Sequence, residues 1–147
     1  MEILNREAKF NYFIEEEIEC GIVLVGTEIK SIRNGKANLK DSYAIIRNNE
    51  VHLLNMNISE YKEGNLFNHE PKRTRKLLLH KKEILKLKKE IEQDGFTLVP
   101  LKLYFVKNKA KILLGLCKGK KNFDKRETIK QRELKREQEK LQKYNYK

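Results

Sequence analysis

The sequence is poor in the features that mark disulfide-rich, zinc-binding and membrane proteins. Its 147 residues include only two cysteines, Cys20 and Cys117, which are too few and too isolated for a disulfide framework or a zinc site. No apolar run is long enough to span a bilayer, and the first residues lack the pattern of a signal peptide. These absences predict two reduced, mostly buried thiols and a cytoplasmic protein.

Residues that could form a catalytic or metal centre are equally scarce. His52, His69 and His80 do not have metal-ligand spacing, and no Ser-His or Cys-His arrangement suggests a nucleophile. Residues 119–121 lack the leading glycine and the hydroxyl of a phosphate-binding loop. The acidic run 15–17 lies on a predicted strand, where neighbours face opposite ways, so we interpret it as an exposed face. We therefore predict no enzyme activity, no metal and no cofactor.

Positive charge, in contrast, is abundant. The chain has 33 Lys and Arg against 21 Asp and Glu, a net charge of +12, with a pI of about 9.6. Such a balance predicts an acidic partner, with nucleic acid as the leading candidate. An anionic membrane surface is less favoured because no segment has an apolar face to insert.

The basic charge is concentrated in the last thirty residues, 118–147. Twelve Lys or Arg against five Asp or Glu give this segment +7. Its apolar residues are too few to bury a core, so the free segment is predicted to be disordered. After Arg126 it has no Gly or Pro and is rich in good helix formers. A polyanionic surface such as RNA is therefore predicted to make it helical.

In a helix, residues at steps of three and four would form one face, which we call the basic stripe. Its members are Lys125, Ile129, Arg132, Arg136, Lys140, Lys143 and Lys147. The plainer interpretation is a solvated tail that only aids solubility. We favour the helix because the segment is helix-compatible throughout, unlike Gly-, Ser- or Pro-rich linkers, and because it opens with a non-repetitive motif.

The first part of the chain predicts a strand and a short helix. Alternating apolar residues followed by a β-branched run predict a strand over residues 10–25, with a bulge or bend at Gly21. Residues 27–34 predict a helix of about two turns, with Thr27 as the N-cap and Gly35 as the stop.

The middle of the chain predicts a hairpin, a long loop and a second helix. The hairpin covers residues 42–58 and turns at Asn48-Asn49, since Asn tolerates positive φ. Residues 59–74 have little periodicity and much charge, which predicts a loop of a length that is usually functional or mobile. A helix follows over residues 81–94, and Gly95 ends it.

The strongest pattern is a second hairpin with alternating strands over residues 101–106 and 110–116. Strands with helices between them, in a body this small, favour a closed barrel. We therefore predict a mainly β fold. An OB-like closed antiparallel β-barrel with short flanking helices would occupy residues 1–117, and a basic C-terminal tail residues 118–147.

Several short motifs occur together in one order, which is more specific than any one of them. They are Asn5–Ala8, Tyr12–Glu16, Gly26–Ser31, Gly35–Asn38, Asp41–Tyr43, Arg73–Leu79, and Gly119–Lys121 with Asp124–Arg126. In these motifs the chain resembles the SsrA-binding protein family, also called SmpB. The resemblance runs from about Asn5 to Lys143.

The resemblance implies a non-enzymatic RNA-binding protein with an OB-like barrel. It implies binding to the tRNA-like domain of transfer-messenger RNA (tmRNA) and its delivery to the A site of stalled ribosomes. This process, trans-translation, rescues the ribosome and tags the incomplete protein. The implied partners are tmRNA, the small-subunit decoding centre and mRNA channel, and elongation factor Tu through the charged RNA. The family also implies a monomer.

Two sets of site residues are predicted. The RNA-binding set of the body is Asn5, Glu19, Lys30, Arg73, Arg75, Lys76, Leu78 and Lys111. The ribosome-binding set of the tail is Gly119, Lys120, Lys121, Phe123, Asp124, Lys125, Arg126, Arg132 and Arg136. Of the first set, Asn5, Glu19, Leu78 and Lys111 match family positions thought to matter for RNA.

The chemistry of these four residues differs. Lys111 suits a phosphate contact on an exposed strand face. Glu19 opposes RNA charge, but a carboxylate accepts hydrogen bonds from base or 2′-hydroxyl donors, or orients a neighbouring Arg. Leu78 would stack on an exposed base or pack in the core, and the core is the default expectation. In the tail, Phe123 stands where many family members have His, so only stacking is expected there.

Other functions remain open from the residues themselves. The nearest alternative is a general or ribosomal RNA-binding protein with an OB-like body. A protein-docking helix would need apolar anchors at i, i+3, i+4 and i+7, which the tail does not supply. A nuclease would need clustered carboxylates for a metal ion.

Overall fold

The computed structural model of the protein describes residues 1–63 and 68–145, without the side chains of residues 122, 123 and 141–145. The fold is mainly β with a few helices. The strands are β1 (Glu2–Leu4), β2 (Tyr12–Ile22), β3 (Ala37–Asn38), β4 (Tyr43–Arg47), β5 (Glu50–Leu54), β6 (Asn57–Ile58), β7 (Arg75–Leu78), β8 (Thr97–Val106) and β9 (Lys109–Gly119). The helices are α1 (Ala8–Asn11), α2 (Gly26–Arg33), α3 (Lys81–Asp94) and α4 (Asn122–Asn145).

Seven strands form one large antiparallel sheet in the order β1-β8-β4-β5-β7-β2-β9, and β8 also pairs with β9. The longest ladders join β9 to β2 and to β8. β3 and β6 form a separate two-stranded sheet. The predicted mainly β, antiparallel character is therefore confirmed.

Both predicted hairpins are confirmed, although the first ends at Leu54 rather than at residue 58, and their turns explain why. Asn48 and Asn49 have φ of 52° and 58°, and Lys107 and Asn108 have φ of 49° and 66°. Two consecutive residues with positive φ make the two-residue turn that matches the twist of antiparallel strands. Asn adopts this conformation at low cost, whereas Lys107 adopts it against its preference.

The two predicted helices of the body are also confirmed. α3 has the predicted bounds, and the Gly95 N–H donates to the Ile91 carbonyl at 3.1 Å with a Gly95 φ of 69°. α2 starts differently from the prediction, because the N-cap is Val25 rather than Thr27. The Thr27 hydroxyl instead contacts His69 Nδ1 at 2.9 Å, so this side chain joins α2 to the segment before β7.

The strand predicted over residues 10–25 is wrong in its start, its end and the position of its bulge. Phe10 lies in α1 and not in the strand, which spans only Tyr12–Ile22. The bulge lies between Ile14 and Glu16 rather than at Gly21. Gly21 instead allows a close approach, since a Cβ there would lie 3.2 Å from Leu78 Cβ.

Four strands extend the fold beyond the predicted elements. The short strands β1, β3 and β7 were not predicted. β9 runs to Gly119, two residues past the predicted end of the body at residue 117.

The main hydrophobic core packs the inward side chains of the sheet against α2 and α3. Its fully buried members include Val51, Leu53, Leu77, Leu98, Leu103, Ile112 and Leu114 from strands and Ile32 and Leu87 from helices. Each such side chain stabilises the fold by about 1.5–3 kcal/mol relative to an exposed one.

The two cysteines are free and buried, as predicted. Burial, aided by nearby carboxylates, raises the pKa of Cys20 to about 12 and that of Cys117 to about 11. Both thiols are therefore protonated and poorly reactive at neutral pH. In the ranges 1–63 and 68–145, every helix is too short or too polar to cross a membrane.

Candidate nucleic-acid interface

Strand register places two of the predicted RNA-binding residues, Leu78 and Lys111, beside Gly21 and Tyr104 on the outer face of the sheet. Leu78 of β7 pairs with Gly21 of β2, Gly21 pairs with Lys111 of β9, and Lys111 pairs with Tyr104 of β8. Side chains alternate between the two faces of a sheet, and each of these residues has at least one buried sequence neighbour. Those neighbours are Cys20, Ile22, Leu77, Leu103 and Ile112.

A groove of about 680 Å³ lies along this row. Glu19, Leu78 and Lys111 all line it, together with His80 and Glu83 from the start of α3. The structure thus brings three of the four family-matched residues into one site. A cationic side chain, a carboxylate and an apolar surface in one groove can contact phosphate, base-edge donors and base faces respectively.

Leu78 is on the surface, with 52% of its area exposed. The default expectation that Leu78 packs in the core is therefore wrong. The burial of β7 alternates from Arg75, which is buried, to Leu78, which is exposed. An exposed leucine on the wall of this groove offers an apolar surface on which a base can stack.

Tyr104 is part of this site but was not predicted. Its hydroxyl donates a hydrogen bond to Glu19 Oε2. Burial and this bond to the carboxylate raise the pKa of Tyr104 to about 12, so the hydroxyl remains a donor at neutral pH. The alternating pattern of β8 indicated that Tyr104 faces away from the buried Leu103. It gave no indication of the contact with Glu19, because that contact depends on how the strands pair.

Asn5, the fourth family-matched residue, lies elsewhere. Its Nδ2 donates to the Pro100 carbonyl at 2.8 Å, and its backbone N–H donates to the Leu101 carbonyl at 2.9 Å. Asn5 lines a smaller groove of about 250 Å³ together with Tyr12 and Tyr43. The structure does not bring Asn5 together with the other three.

Arg75 was predicted to bind RNA, but its side chain is fully buried in the structure. Its Nε donates to Glu28 Oε2 at 2.6 Å and its Nη1 donates to the Met56 carbonyl at 2.6 Å. A further bond at 3.0 Å reaches the Pro71 carbonyl. Arg75 has no free surface for RNA, so it is a structural residue that ties β7 to α2 and to the preceding loop.

The other cationic residues predicted to bind RNA in the body differ in how accessible their side chains are. Arg73 is partly exposed but also binds Glu28, with Nη2 2.6 Å from Oε1. Lys30 lies over the Tyr61 ring at 5.5 Å. Lys76 is exposed and 3.7 Å from a Glu50 oxygen. A surface pair of that length is weak, which leaves Lys76 available to a phosphate.

Within the tail, residues 122–145 form the helix α4 in the structure. α4 begins at Asn122, and the Lys121 N–H donates to an Asp124 carboxylate oxygen at 3.2 Å. A carboxylate at a helix N-terminus satisfies free N–H groups and complements the helix dipole. Asp124 of the predicted ribosome-binding set therefore also stabilises the start of α4.

The segment from Lys120 to Arg132, which includes the first turns of α4, contacts the body. The Lys120 N–H donates to the Asn11 carbonyl at 2.8 Å, and Lys120 Nζ lies 4.9 Å from the centre of the Phe13 ring. Farther along, Lys125 Nζ and Arg132 Cζ lie 6.0 Å and 5.8 Å from the centre of the Phe10 ring. Two members of the basic stripe thus lie over an aromatic ring of α1.

The remaining predicted tail residues are distributed along this helix. Arg126 and Arg136 are exposed on α4, as is Gly119 at the end of β9. The Phe123 side chain and those of Lys143 and Lys147 lie outside the described residues.

The basic charge, the groove on the outer face of an antiparallel sheet and the cationic helix define a protein of the RNA-binding class. The model of the family described as SmpB protein matches residues 2–144. The chain therefore belongs to the SmpB family.

Relatives cover almost the whole chain. An SsrA-binding protein of Shouchella clausii is 59% identical over 135 residues, which are 92% of this chain and 86% of the relative. One of Halalkalibacterium halodurans is 60% identical, covering 92% of this chain and 88% of the relative. One of Desulfitobacterium hafniense is 57% identical over 90% of this chain and 85% of the relative.

A solved structure is also similar. It is described as "tmRNA-SmpB: a journey to the center of the bacterial ribosome", and one of its chains matches with a TM-score of 0.69 and 48% identity. The match covers 82% of this chain and 85% of that chain.

Proposed function

We propose that the protein binds the tRNA-like domain of tmRNA and delivers it to the A site of stalled ribosomes. There it acts in trans-translation, which rescues the ribosome and tags the incomplete protein. The observation that carries this proposal is the family match over residues 2–144. It is supported by the groove on the outer sheet face, where Glu19, Leu78 and Lys111 meet.

The body is proposed to be an OB-like closed barrel. Strand pairing supports this, because it runs from β8 through β4, β5, β7, β2 and β9 and returns from β9 to β8. A barrel closed in this way leaves few free strand edges. It would present one continuous outer face to the RNA.

Within the proposed function the groove residues have distinct roles. Lys111, which is partly exposed, neutralises a phosphate. Leu78 gives an apolar surface to a base or sugar, and Glu19 accepts hydrogen bonds from base or 2′-hydroxyl donors. Asn5, Lys30, Arg73 and Lys76 lie outside this groove and are proposed to contact other parts of the RNA with the accessible parts of their side chains.

The tail, over residues 118–147, is proposed to act on the ribosome rather than on tmRNA. Its opening residues, from Gly119 to Arg126, would lie at the small-subunit decoding centre. The basic stripe, including Arg132 and Arg136, would face ribosomal RNA in the vacant mRNA channel. Free in dilute solution, residues 125–147 are predicted to be mostly unordered, because the exposed helix buries little.

The chain itself is proposed to be a monomer without enzymatic activity. The charged tmRNA would bring elongation factor Tu into the same complex. Because trans-translation takes place on ribosomes, we place the protein in the cytoplasm.

Lys111→Ala is expected to weaken binding of the tRNA-like domain and to lower the slope of log K against log salt by about one unit, the value for one phosphate contact. Glu19→Gln should weaken binding with little change of slope, since a carboxylate releases no counterion. Filter binding over a salt series measures both quantities. Lys88→Ala, on an exposed residue of α3 that lines a different groove, is the matched control. Equal slope changes for the Lys111 and Glu19 variants would contradict these roles.

The division between body and tail is tested by truncation after Lys121. This end keeps all of β9 and the hydrogen bond from Lys120 to Asn11. The truncated chain is expected to fold and to bind the tRNA-like domain with near wild-type affinity. In a reconstituted system with stalled ribosomes and tmRNA it should give no tagged peptide. Tagging at the full-length level would refute the role of the tail, and an unfolded product would refute the boundary.

A further inference from the structure

We propose that Tyr104 is a positioning residue for RNA recognition: its hydroxyl holds the Glu19 carboxylate in the orientation in which that carboxylate accepts hydrogen bonds from RNA. This inference rests on the proposed function. It assigns a role to a residue outside both predicted site sets.

Strand pairing explains how two residues 85 positions apart come into contact. Glu19 of β2 pairs with Leu113 of β9, whereas Tyr104 of β8 pairs with Lys111 of the same strand. Glu19 and Tyr104 therefore lie diagonally across β9, two strand spacings apart, or about 10 Å between backbones. The Tyr104 and Glu19 side chains reach toward each other over β9, and together they span this distance, as their hydrogen bond shows.

The contact leaves part of the carboxylate free. Tyr104 binds Oε2, and an ionised carboxylate has about four lone-pair positions on its two oxygens. Glu19 is neither buried nor bound by a cation among the residues described, although it lines the groove beside Lys111. The second oxygen and the remaining lone pair of Oε2 are therefore available to donors on RNA.

Holding the Glu19 side chain in one orientation before RNA binds increases the affinity for RNA. A free glutamate on a strand face samples several rotamers, and RNA binding would have to select one of them. With Tyr104 in place, that ordering cost is met on folding and not on binding. Tyr104 is itself held from the other side, since Lys102 Nζ lies 4.9 Å from the centre of its ring and 3.3 Å from a Glu2 oxygen.

Tyr104→Phe tests the proposal, because it removes the hydroxyl and keeps the ring and its contact with Lys102. Binding of the tRNA-like domain is expected to weaken about three- to tenfold, the range for one side chain that must be ordered on binding. The salt slope should not change, as no cation is removed. Tyr144→Phe, in a tyrosine of α4 away from the sheet, is the matched control and should bind like the wild type. Circular dichroism would verify that each variant is folded.

A double-mutant cycle with Glu19→Ala separates positioning from direct contact. If Tyr104 acts through Glu19, Tyr104→Phe should weaken binding less than twofold when Glu19 is already Ala. An equal loss in both backgrounds would overturn the proposal, because Tyr104 would then contact RNA by itself. Wild-type affinity of Tyr104→Phe would overturn it as well. Failure of the wild-type chain to prefer the tRNA-like domain over random RNA would instead contradict the proposed function.

Discussion

Glu133→Pro is expected to abolish tagging on stalled ribosomes, whereas Glu133→Ala should leave tagging close to the wild-type level. Position 133 lies in the middle of α4 and is exposed. Proline there removes the backbone donor to the Ile129 carbonyl and clashes with it, at a cost of about 3 kcal/mol or more. The basic stripe would then be divided, and its two halves could no longer face the same RNA surface.

The alanine variant is the control for the lost charge, since it keeps the helix and removes the same carboxylate. Both variants should bind the tRNA-like domain like the wild type, because the groove lies on the sheet and not on α4. Peptide tagging in a reconstituted system measures the first effect and filter binding the second. If Glu133→Pro still tags, the tail acts as a flexible polycation, and the spacing of the basic stripe has no functional meaning.

Arg75→Met is expected to reduce the free energy of unfolding by about 3–5 kcal/mol, the usual cost of removing one partner from a buried ion pair. The Glu28 carboxylate is fully buried and would keep only Arg73 as its cationic partner. The carbonyls of Met56 and Pro71 would also lose a donor. Chemical denaturation of the two proteins measures the difference.

Lys76→Met is the matched control for Arg75→Met. Lys76 lies on the same strand as Arg75, and its substitution removes the same charge. Lys76 is exposed, however, and forms only a surface ion pair with Glu50 at 3.7 Å. Its cost should be below about 1 kcal/mol. Similar losses in both variants would contradict the structural role assigned to Arg75.

The buried ion pairs of Glu28 with Arg73 and Arg75 also predict that the stability of the protein depends on pH. Burial by itself would raise the pKa of Glu28, but hydrogen bonds from Arg73, the Val25 amide and Arg75 outweigh it and lower the pKa below the ordinary value of 4.5. A carboxyl with a lowered folded pKa contributes stability that is complete above its unfolded pKa. This contribution should be lost as the pH falls below 4.5 and through the folded pKa, and the loss should be smaller in Glu28→Gln.

Local signals in the sequence were sufficient for much of the fold. The Asn48-Asn49 turn and the Gly95 end of α3 depend on conformational preferences of single residues. The hairpin of β8 and β9 depends on alternation over long strands, which is a strong pattern. These elements were predicted because their causes lie within a few residues of chain.

The elements that were missed have causes far away in the sequence. β7 is only four residues long and follows a charged loop, and it exists because β2 and β5 pair with it on either side. That pairing also decides that Arg75 faces inward to Glu28 and that Leu78 faces outward. A one-residue change of register would exchange the two faces, so charge and hydrophobicity alone led to the wrong expectation for both residues.

The groove could be predicted only in part for the same reason. Glu19, Leu78 and Lys111 were identified by resemblance, without any indication that they would meet. Tyr104 was not identified, because its partner Glu19 is 85 positions away. Only the register of β2, β8 and β9 brings the hydroxyl to the carboxylate.

Sequencing the RNA that co-purifies with the full-length chain from its host, at physiological salt, tests the central claim most directly. The account predicts that tmRNA is the RNA most enriched over its share of total cellular RNA, and that Lys111→Ala reduces this enrichment. Recovery of RNAs in proportion to their abundance, with no enrichment of tmRNA, would contradict it and would indicate a general RNA-binding protein.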